Sequence, residues 1–143
     1  MRLTVAALVT ALLLLLTSTS AQQPASRPVA TVKQLHEALI TPSSDALFDV
    51  EPENLKDDQG WGRVRNNAFI LAESGNLLML RGRARDSGPW MKMARALVDA
   101  GAAAAAAADA RKAAGVAEAS DRIVAICESC HQQYRDGGRR MKE

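Results

Sequence analysis

The segment Cys127-Glu128-Ser129-Cys130-His131 contains both cysteines of this 143-residue chain and constrains its fold more than any other feature. On a helix, the side chains of Cys127, Cys130 and His131 project from one face, because residues three and four positions apart are neighbours. C-x-x-C-H is the attachment motif of a c-type haem: the thiols add to the porphyrin vinyl groups and the imidazole binds the iron. We therefore predict one covalently bound haem c per chain, a helical frame and an apolar pocket.

Other uses of a C-x-x-C pair fit this chain less well. A dithiol redox pair usually follows a strand of a βαβ unit, and the sequence contains no strand pattern. A zinc site would need four ligands, and His36 is the only other strong candidate. A short disulfide is compatible with an exported protein, but it does not explain the histidine that follows the second cysteine.

Residues 1–21 are predicted to form a signal peptide. A charged start at Arg2 precedes a twelve-residue stretch from Val5 to Leu16 that is apolar except for Thr10, and small residues mark a cleavage site after Ala21. The apolar stretch is too short to span a bilayer. We therefore expect a periplasmic protein whose mature part, residues 22–143, is one domain without a membrane span.

The mature part is close to electrical neutrality. Loss of Arg2 leaves 17 basic and 16 acidic residues. This balance does not favour nucleic-acid binding, and it shows no docking patch from which a redox partner could be named. Basic residues cluster in the last nine positions, a pattern more typical of a solvated helix end than of a docking site.

Four helices are predicted from apolar residues at helical spacing. The predicted segments are about residues 31–50, 57–80, 89–115 and 116–134. Pro42 is expected to interrupt or bend the first helix, because it lacks a backbone N–H group. A break near Gly75 is compatible with the second pattern, and Gly101 weakens the third. Residues predicted to face the core include Leu35, Leu47, Phe48, Val64, Leu71, Leu97, Ile123 and Val124.

Short connections between four helices favour an all-α fold, an antiparallel four-helix bundle. Only five aromatic residues occur, and alanine, which favours helix but buries little surface, is abundant. A core of alanine and leucine would be thin, and a large flat haem would fill it. The alternative is a small globular arrangement, in which the haem motif lies near the start of the chain and a methionine lies near its end. The C-terminal position of the motif favours the bundle.

The chain resembles the class II c-type cytochromes, that is, the cytochrome c-prime family and its low-spin relatives. Residues 127–135 are similar to the terminal C-x-x-C-H-x-x-[YF]-[RK] signature of that family. Residues 41–48, 71–78 and 90–93 are similar to segments of its exported members. The likeness extends over about residues 29–134.

The resemblance implies a left-handed antiparallel four-helix bundle with haem c near one end. It implies that Cys127 and Cys130 form the thioether bonds and that His131 is the proximal iron ligand. Arg135 matches a basic residue near the exposed proximal side of the haem, although an ordinary solvated arginine is an equal interpretation. Family members often dimerise through their first two helices, so a homodimer is compatible with the resemblance.

The residue opposite His131 decides how such a haem functions. In low-spin members of the family, a methionine on the first helix is the sixth ligand; in gas-binding members, an apolar residue shields the iron. Here that position corresponds to His36, and the predicted first helix contains no methionine. We therefore predict a bis-histidine iron, with a lower reduction potential than a His/Met pair gives.

Two alternatives to this ligand stay open. In the first, His36 does not bind the iron, which is then five-coordinate; a histidine on an apolar helix face is ordinarily structural. The other candidate ligands are Met79, Met91 and Met93. Methionine at helical spacing usually fills core space instead.

These features together predict a periplasmic cytochrome that carries electrons through its attached haem. A five-coordinate haem protein that binds NO or CO is the alternative, and an interaction protein with a mainly structural haem is a third class. Outside the haem motif, no Ser/His/Asp set or carboxylate pair with recognisable spacing points to an enzyme.

Overall fold

The computed structural model describes residues 27–135, so the predicted signal peptide lies outside the described residues. Helix α1 is a continuous helical segment of residues 32–48. It is followed by a short 3₁₀ turn at Pro52–Leu55, then α2 (Asp58–Leu78), α3 (Pro89–Asp109) and α4 (Ala113–Cys130), which continues as a π-helical turn at His131–Arg135. The described residues contain no strand. The prediction of an all-α fold with four helices is confirmed.

Helix α1 is widened, not interrupted, ahead of Pro42. A capping box at Thr31 and Gln34 starts the helix. The segment His36–Ile40 is π-helical, and the Thr41 backbone N–H donates to the carbonyl five residues back, at His36. Helical geometry then continues to Phe48. Pro42 lacks the N–H group that a regular α-helix would use, and the wider turn before it accommodates this loss without ending the helix.

Helices α2 and α3 are antiparallel and lie very close together at two glycines. A Cβ atom built on Gly75 would lie 2.7 Å from the Ala94 carbonyl oxygen, and one built on Gly101 would lie 2.7 Å from the Ala72 backbone nitrogen. The helix continues unbroken through Gly75. These glycines therefore serve a close helix crossing, and neither marks a break.

The boundary between α3 and α4 differs from its predicted position near Gly115. Helix α3 ends at Asp109, and Arg111 takes the turn with a left-handed backbone angle, φ of 52°. The Lys112 N–H donates to the Ala107 carbonyl over 2.9 Å. A Cβ on Gly115 would lie 3.0 Å from the Ala107 Cβ, so this glycine permits close packing inside α4.

The core follows the predicted stripes with two exceptions. Leu47, Leu71 and Ile123 are among its fully buried side chains. Phe48 and Val124, both predicted to face the core, remain 41% and 37% exposed. They line a mainly apolar groove of about 590 Å³ between α1 and α4. Within residues 27–135, no helix combines the length and the apolar character needed to cross a membrane.

Candidate haem site

The antiparallel arrangement of α1 and α4 brings the two histidines of the chain close together. The ring centroids of His36 and His131 lie 6.1 Å apart, with 42° between the ring planes. Both side chains are half-buried. Each histidine is also the first residue of a π-helical turn. Such turns are rare in proteins, and those that do occur are frequently found at functional sites. They change the direction of a side chain without ending the helix.

The ring of His36 is oriented by its own helix. Its Nδ1 atom lies 3.0 Å from the Val32 carbonyl oxygen. Because a carbonyl oxygen only accepts hydrogen bonds, Nδ1 carries the proton and donates a hydrogen bond to the Val32 carbonyl oxygen. The other ring nitrogen, Nε2, then has the lone pair that a metal ligand needs. Metal-binding histidines are commonly held in this way by a hydrogen bond from the second ring nitrogen.

The two cysteines lie beside this pair as free thiols. Both are half-buried on the last turn of α4, next to His131. Burial raises the pKa of Cys127 above its ordinary value of 9.0, and the nearby Cys130 and Glu128 raise it further. Burial likewise raises the pKa of the Cys130 thiol. Both side chains are therefore protonated at neutral pH, as neutral groups at the edge of an apolar cleft.

The cleft between the histidines is walled mainly by apolar side chains from all four helices. Its other lining residues are Ile40, Leu78, Trp90, Met93, Ala94, Leu97 and Ile126. The cavity itself measures only about 30 Å³. The donor groups and the apolar walls suit a haem, but these walls must move apart at the periphery to seat a porphyrin ring.

A polar network anchors the turn that carries His131. Asp86 Oδ1 accepts hydrogen bonds from the backbone N–H groups of Gly88, at 2.8 Å, and Trp90, at 3.0 Å. Asp86 Oδ2 accepts a hydrogen bond from the Tyr134 hydroxyl. The Tyr134 ring meets Trp90 edge-on at a centroid distance of 5.0 Å, and the Trp90 indole N–H donates to the Leu78 carbonyl. The C-terminal turn is thus tied to α2 and α3.

This network changes the acidity of its members. The hydrogen bond from Tyr134 is the largest cause of a lowered pKa at Asp86, and the amides of Trp90 and Gly88 add to it, while partial desolvation opposes them. Desolvation, followed by the hydrogen bond to Asp86, raises the pKa of Tyr134 to about 12. The pair therefore holds an ionised carboxylate and a neutral phenol at neutral pH. Sequence reasoning missed Asp86, although an aspartate two residues before a glycine at a helix start is a turn-forming pattern.

Arg83 was also missed as a contributor to the site. Arg83 lies in the middle of the loop after α2 and is only 8% exposed. Its guanidinium donates to the Ala30 carbonyl at 3.0 Å and to the Leu77 carbonyl at 3.1 Å. These bonds fasten the segment before α1, and hence the approach to His36, to the end of α2. A basic residue near a helix C-terminus is a familiar pattern, but the contact with Ala30 depends on the fold.

The remaining sequence candidates lie in different places. Met93 lines the cleft, whereas Met79 and Met91 are partly buried against the core. Arg135 is exposed at the end of the C-terminal turn. Of the three methionines, Met93 is therefore the one that lies beside the two histidines.

Among residues 27–135, no group of three or more His, Cys, Asp or Glu side chains is arranged to hold a metal ion. A zinc site would need such a group. A haem iron has at most six ligands, and the porphyrin nitrogens supply four of them, so no more than two come from the protein. Comparison with protein-family models, with curated proteins and with solved structures found no match for this chain.

Proposed function

We propose that this chain is an exported c-type cytochrome that carries electrons. In this proposal, Cys127 and Cys130 would bind haem c covalently, and His131 and His36 would both ligate its iron. When bound, haem c supplies one-electron chemistry at its iron. The observation that carries the proposal is the pair of neighbouring histidines beside two free thiols in an apolar cleft.

The spacing of the imidazoles supports a shared metal ion. Two imidazoles that bind one metal from opposite sides, with each nitrogen about 2 Å from the metal, have ring centres roughly 6 Å apart. The observed separation of the His36 and His131 centroids is 6.1 Å. The hydrogen bond from His36 Nδ1 to the Val32 carbonyl oxygen supports the same proposal, because it leaves Nε2 as the metal-binding nitrogen.

Two histidines are a ligand set for electron transfer more than for gas binding. If both remain bound in the ferrous and the ferric state, coordination changes little with oxidation state. A gas ligand would have to displace His36, which the hydrogen bond to Val32 holds in orientation. The leader peptide predicted from the sequence supports export to the periplasm, where covalent haem attachment takes place.

Substitution of the proposed sixth ligand tests this function. We expect the purified protein to contain one covalent haem by mass spectrometry and to be low-spin in both oxidation states by optical and magnetic spectroscopy. His36→Ala should convert the iron to a high-spin form that binds CO readily. Met93→Leu is the matched control, because Met93 also lines the cleft, and it should leave the iron low-spin.

Three results would contradict the proposal in different ways. A wild-type protein without covalent haem would refute the cofactor. A wild-type ferrous form that is high-spin and binds CO readily would favour the gas-binding alternative. If Met93→Leu loses the low-spin spectrum and His36→Ala keeps it, the sixth ligand is Met93.

A further inference from the structure

The fold separates charges that are balanced along the sequence. We define the haem end as residues 27–40, 69–98 and 125–135, the halves of the four helices nearest the cleft together with the segments that join or precede them. The far end comprises residues 41–68 and 99–124. The haem end contains eight basic and four acidic residues, net +4, whereas the far end contains six basic and ten acidic residues, net −4. The described part of the chain is therefore electrically polarised along the bundle.

The positive charge of the haem end lies on its surface. The side chains of Arg81, Arg85, Lys92 and Arg95 are exposed on the loop after α2 and on the first turns of α3. Arg27 and Lys33 are also exposed, before and within the first turn of α1, and Lys33 lines the same surface groove as Arg85. These exposed cations thus lie at the end of the bundle that contains the cleft.

Local pairing does not change the charge difference between the two ends, because each ion pair contains one cation and one anion. Asp86, one of its four acidic residues, already accepts bonds from Tyr134 and from two backbone amides. Glu37 lies 3.6 Å from Lys33 in an ion pair. At the far end, two basic residues are paired instead: Arg65 with Asp109, and Arg111 with Asp58. These pairs leave an acidic excess there.

We propose that the haem end is a docking surface for a redox partner protein that is acidic around its own redox centre. This inference rests on the proposed function, because an electron carrier must bring its cofactor close to that of its partner. Complementary charges steer such encounters and raise association rates, and repulsion at the acidic far end favours the orientation that presents the cleft. The partner protein is thus defined by a surface of Asp and Glu carboxylates around its redox centre.

Binding can be tested without any redox chemistry. The probe is an oligoglutamate peptide, titrated into ¹⁵N-labelled protein at low ionic strength and followed by amide chemical shifts. We expect shifts in the loop after α2 and at the starts of α1 and α3. The double variant Arg81→Glu/Arg85→Glu should abolish them. Lys56→Glu/Lys112→Glu, at exposed far-end positions, changes the net charge equally and should retain them. Shifts spread evenly over both ends, or equal losses in both variants, would overturn the proposal.

Electron exchange with small reagents provides a second, independent test. Ferricyanide should oxidise the ferrous protein about tenfold faster at low than at high ionic strength, and hexaammineruthenium should show the opposite dependence. Arg81→Glu/Arg85→Glu should abolish this salt dependence, because it brings the net charge of the haem end from +4 to zero, while the far-end variant should retain it. Equal salt dependence for both reagents would refute the charged docking surface. Failure of every reagent to oxidise or reduce the protein would refute the electron-carrier function instead, and oligoglutamate binding would still report on the surface.

A membrane is the competing occupant for a basic surface. Sedimentation with phosphatidylglycerol vesicles separates the two cases. We expect the protein to stay in the supernatant at physiological ionic strength. Sedimentation that is lost in Arg81→Glu/Arg85→Glu and kept in Lys56→Glu/Lys112→Glu would assign the haem end to an anionic membrane and overturn the protein-partner proposal.

Discussion

Replacement of Gly101 by alanine should destabilise the protein, although alanine is the better helix former. Gly101 lies in the middle of α3, where α2 crosses it. A Cβ at this position would lie 2.7 Å from the Ala72 backbone nitrogen and 2.9 Å from the Ala68 carbonyl oxygen. Ordinary van der Waals contact begins at 3.4 Å, so the added carbon is too close by 0.7 Å at its nearest neighbour. Both neighbours are backbone atoms, and neither can rotate away.

The expected magnitude is the difference between two opposing effects. Helix propensity favours alanine over glycine by about 1 kcal/mol. Overpacking a core position costs about 1–3 kcal/mol, and we place this clash at the upper end of that range because both neighbours are backbone atoms. The helices must then move apart along an interface that buries Ala72, Ala100 and Ala104. We expect a net loss of roughly 2 kcal/mol in the free energy of unfolding.

Urea unfolding followed by far-UV circular dichroism measures this effect, and Gly62→Ala is the matched control. Gly62 lies inside α2, and a Cβ there would meet nothing within 4 Å. Gly62→Ala should therefore gain about 0.5–1 kcal/mol. The reasoning fails if Gly101→Ala is as stable as the wild type while Gly62→Ala is stabilised as expected, because the close helix crossing would then not be what requires glycine.

Two further predictions concern the contacts that hold the ends of α1 and α4. Arg83→Met should lower the free energy of unfolding by about 2 kcal/mol, because it removes two charged hydrogen bonds, to Ala30 and Leu77, while retaining a long apolar side chain; an unchanged urea midpoint would show that these bonds contribute no net stability. Tyr134→Phe should lower stability at neutral pH. Since folding raises the pKa of Tyr134 from 10.0 to about 12, its contribution is present below pH 10 and lost as the pH rises to 12. Since folding lowers the pKa of Asp86 from 3.8, its contribution is present above pH 3.8 and lost as the pH falls through the folded-state pKa. The difference between wild type and Tyr134→Phe should shrink in both windows, and a constant difference from pH 3 to 12 would contradict the assignment.

Local patterns in the sequence predict the helices well, because periodicity and capping act over a few residues. The start of α3 at Pro89 and the capping aspartate before α2, Asp57, agree with the predicted helix starts. The predicted boundary near Gly115 was wrong, because this glycine permits a close approach to Ala107 and does not end a helix. The local sequence does not distinguish a glycine in a turn from a glycine at a close helix crossing. Only the position of the neighbouring helix separates the two roles.

Contacts between distant segments were beyond the reach of sequence patterns. Arg83 and Ala30 are 53 positions apart, and Tyr134 and Asp86 are 48 positions apart. Nothing in their local surroundings indicates that they bond. Similarly, Phe48 has the spacing of a core residue, yet it lies at the edge of a groove where no helix of residues 27–135 covers it. Helical spacing defines a face, but the fold decides how far along the helix that face is covered.

The sequence by itself determined that Cys127, Cys130 and His131 share one helical face, since this follows from their spacing on a helix. It also singled out His36 as a candidate partner. Only the tertiary structure decided that the rings of His36 and His131 lie 6.1 Å apart and that His36 is oriented by Val32. It also decided that a nearly neutral chain has a basic end and an acidic end. Both results arise because antiparallel helices place residues that are far apart in the chain at the same end of the bundle.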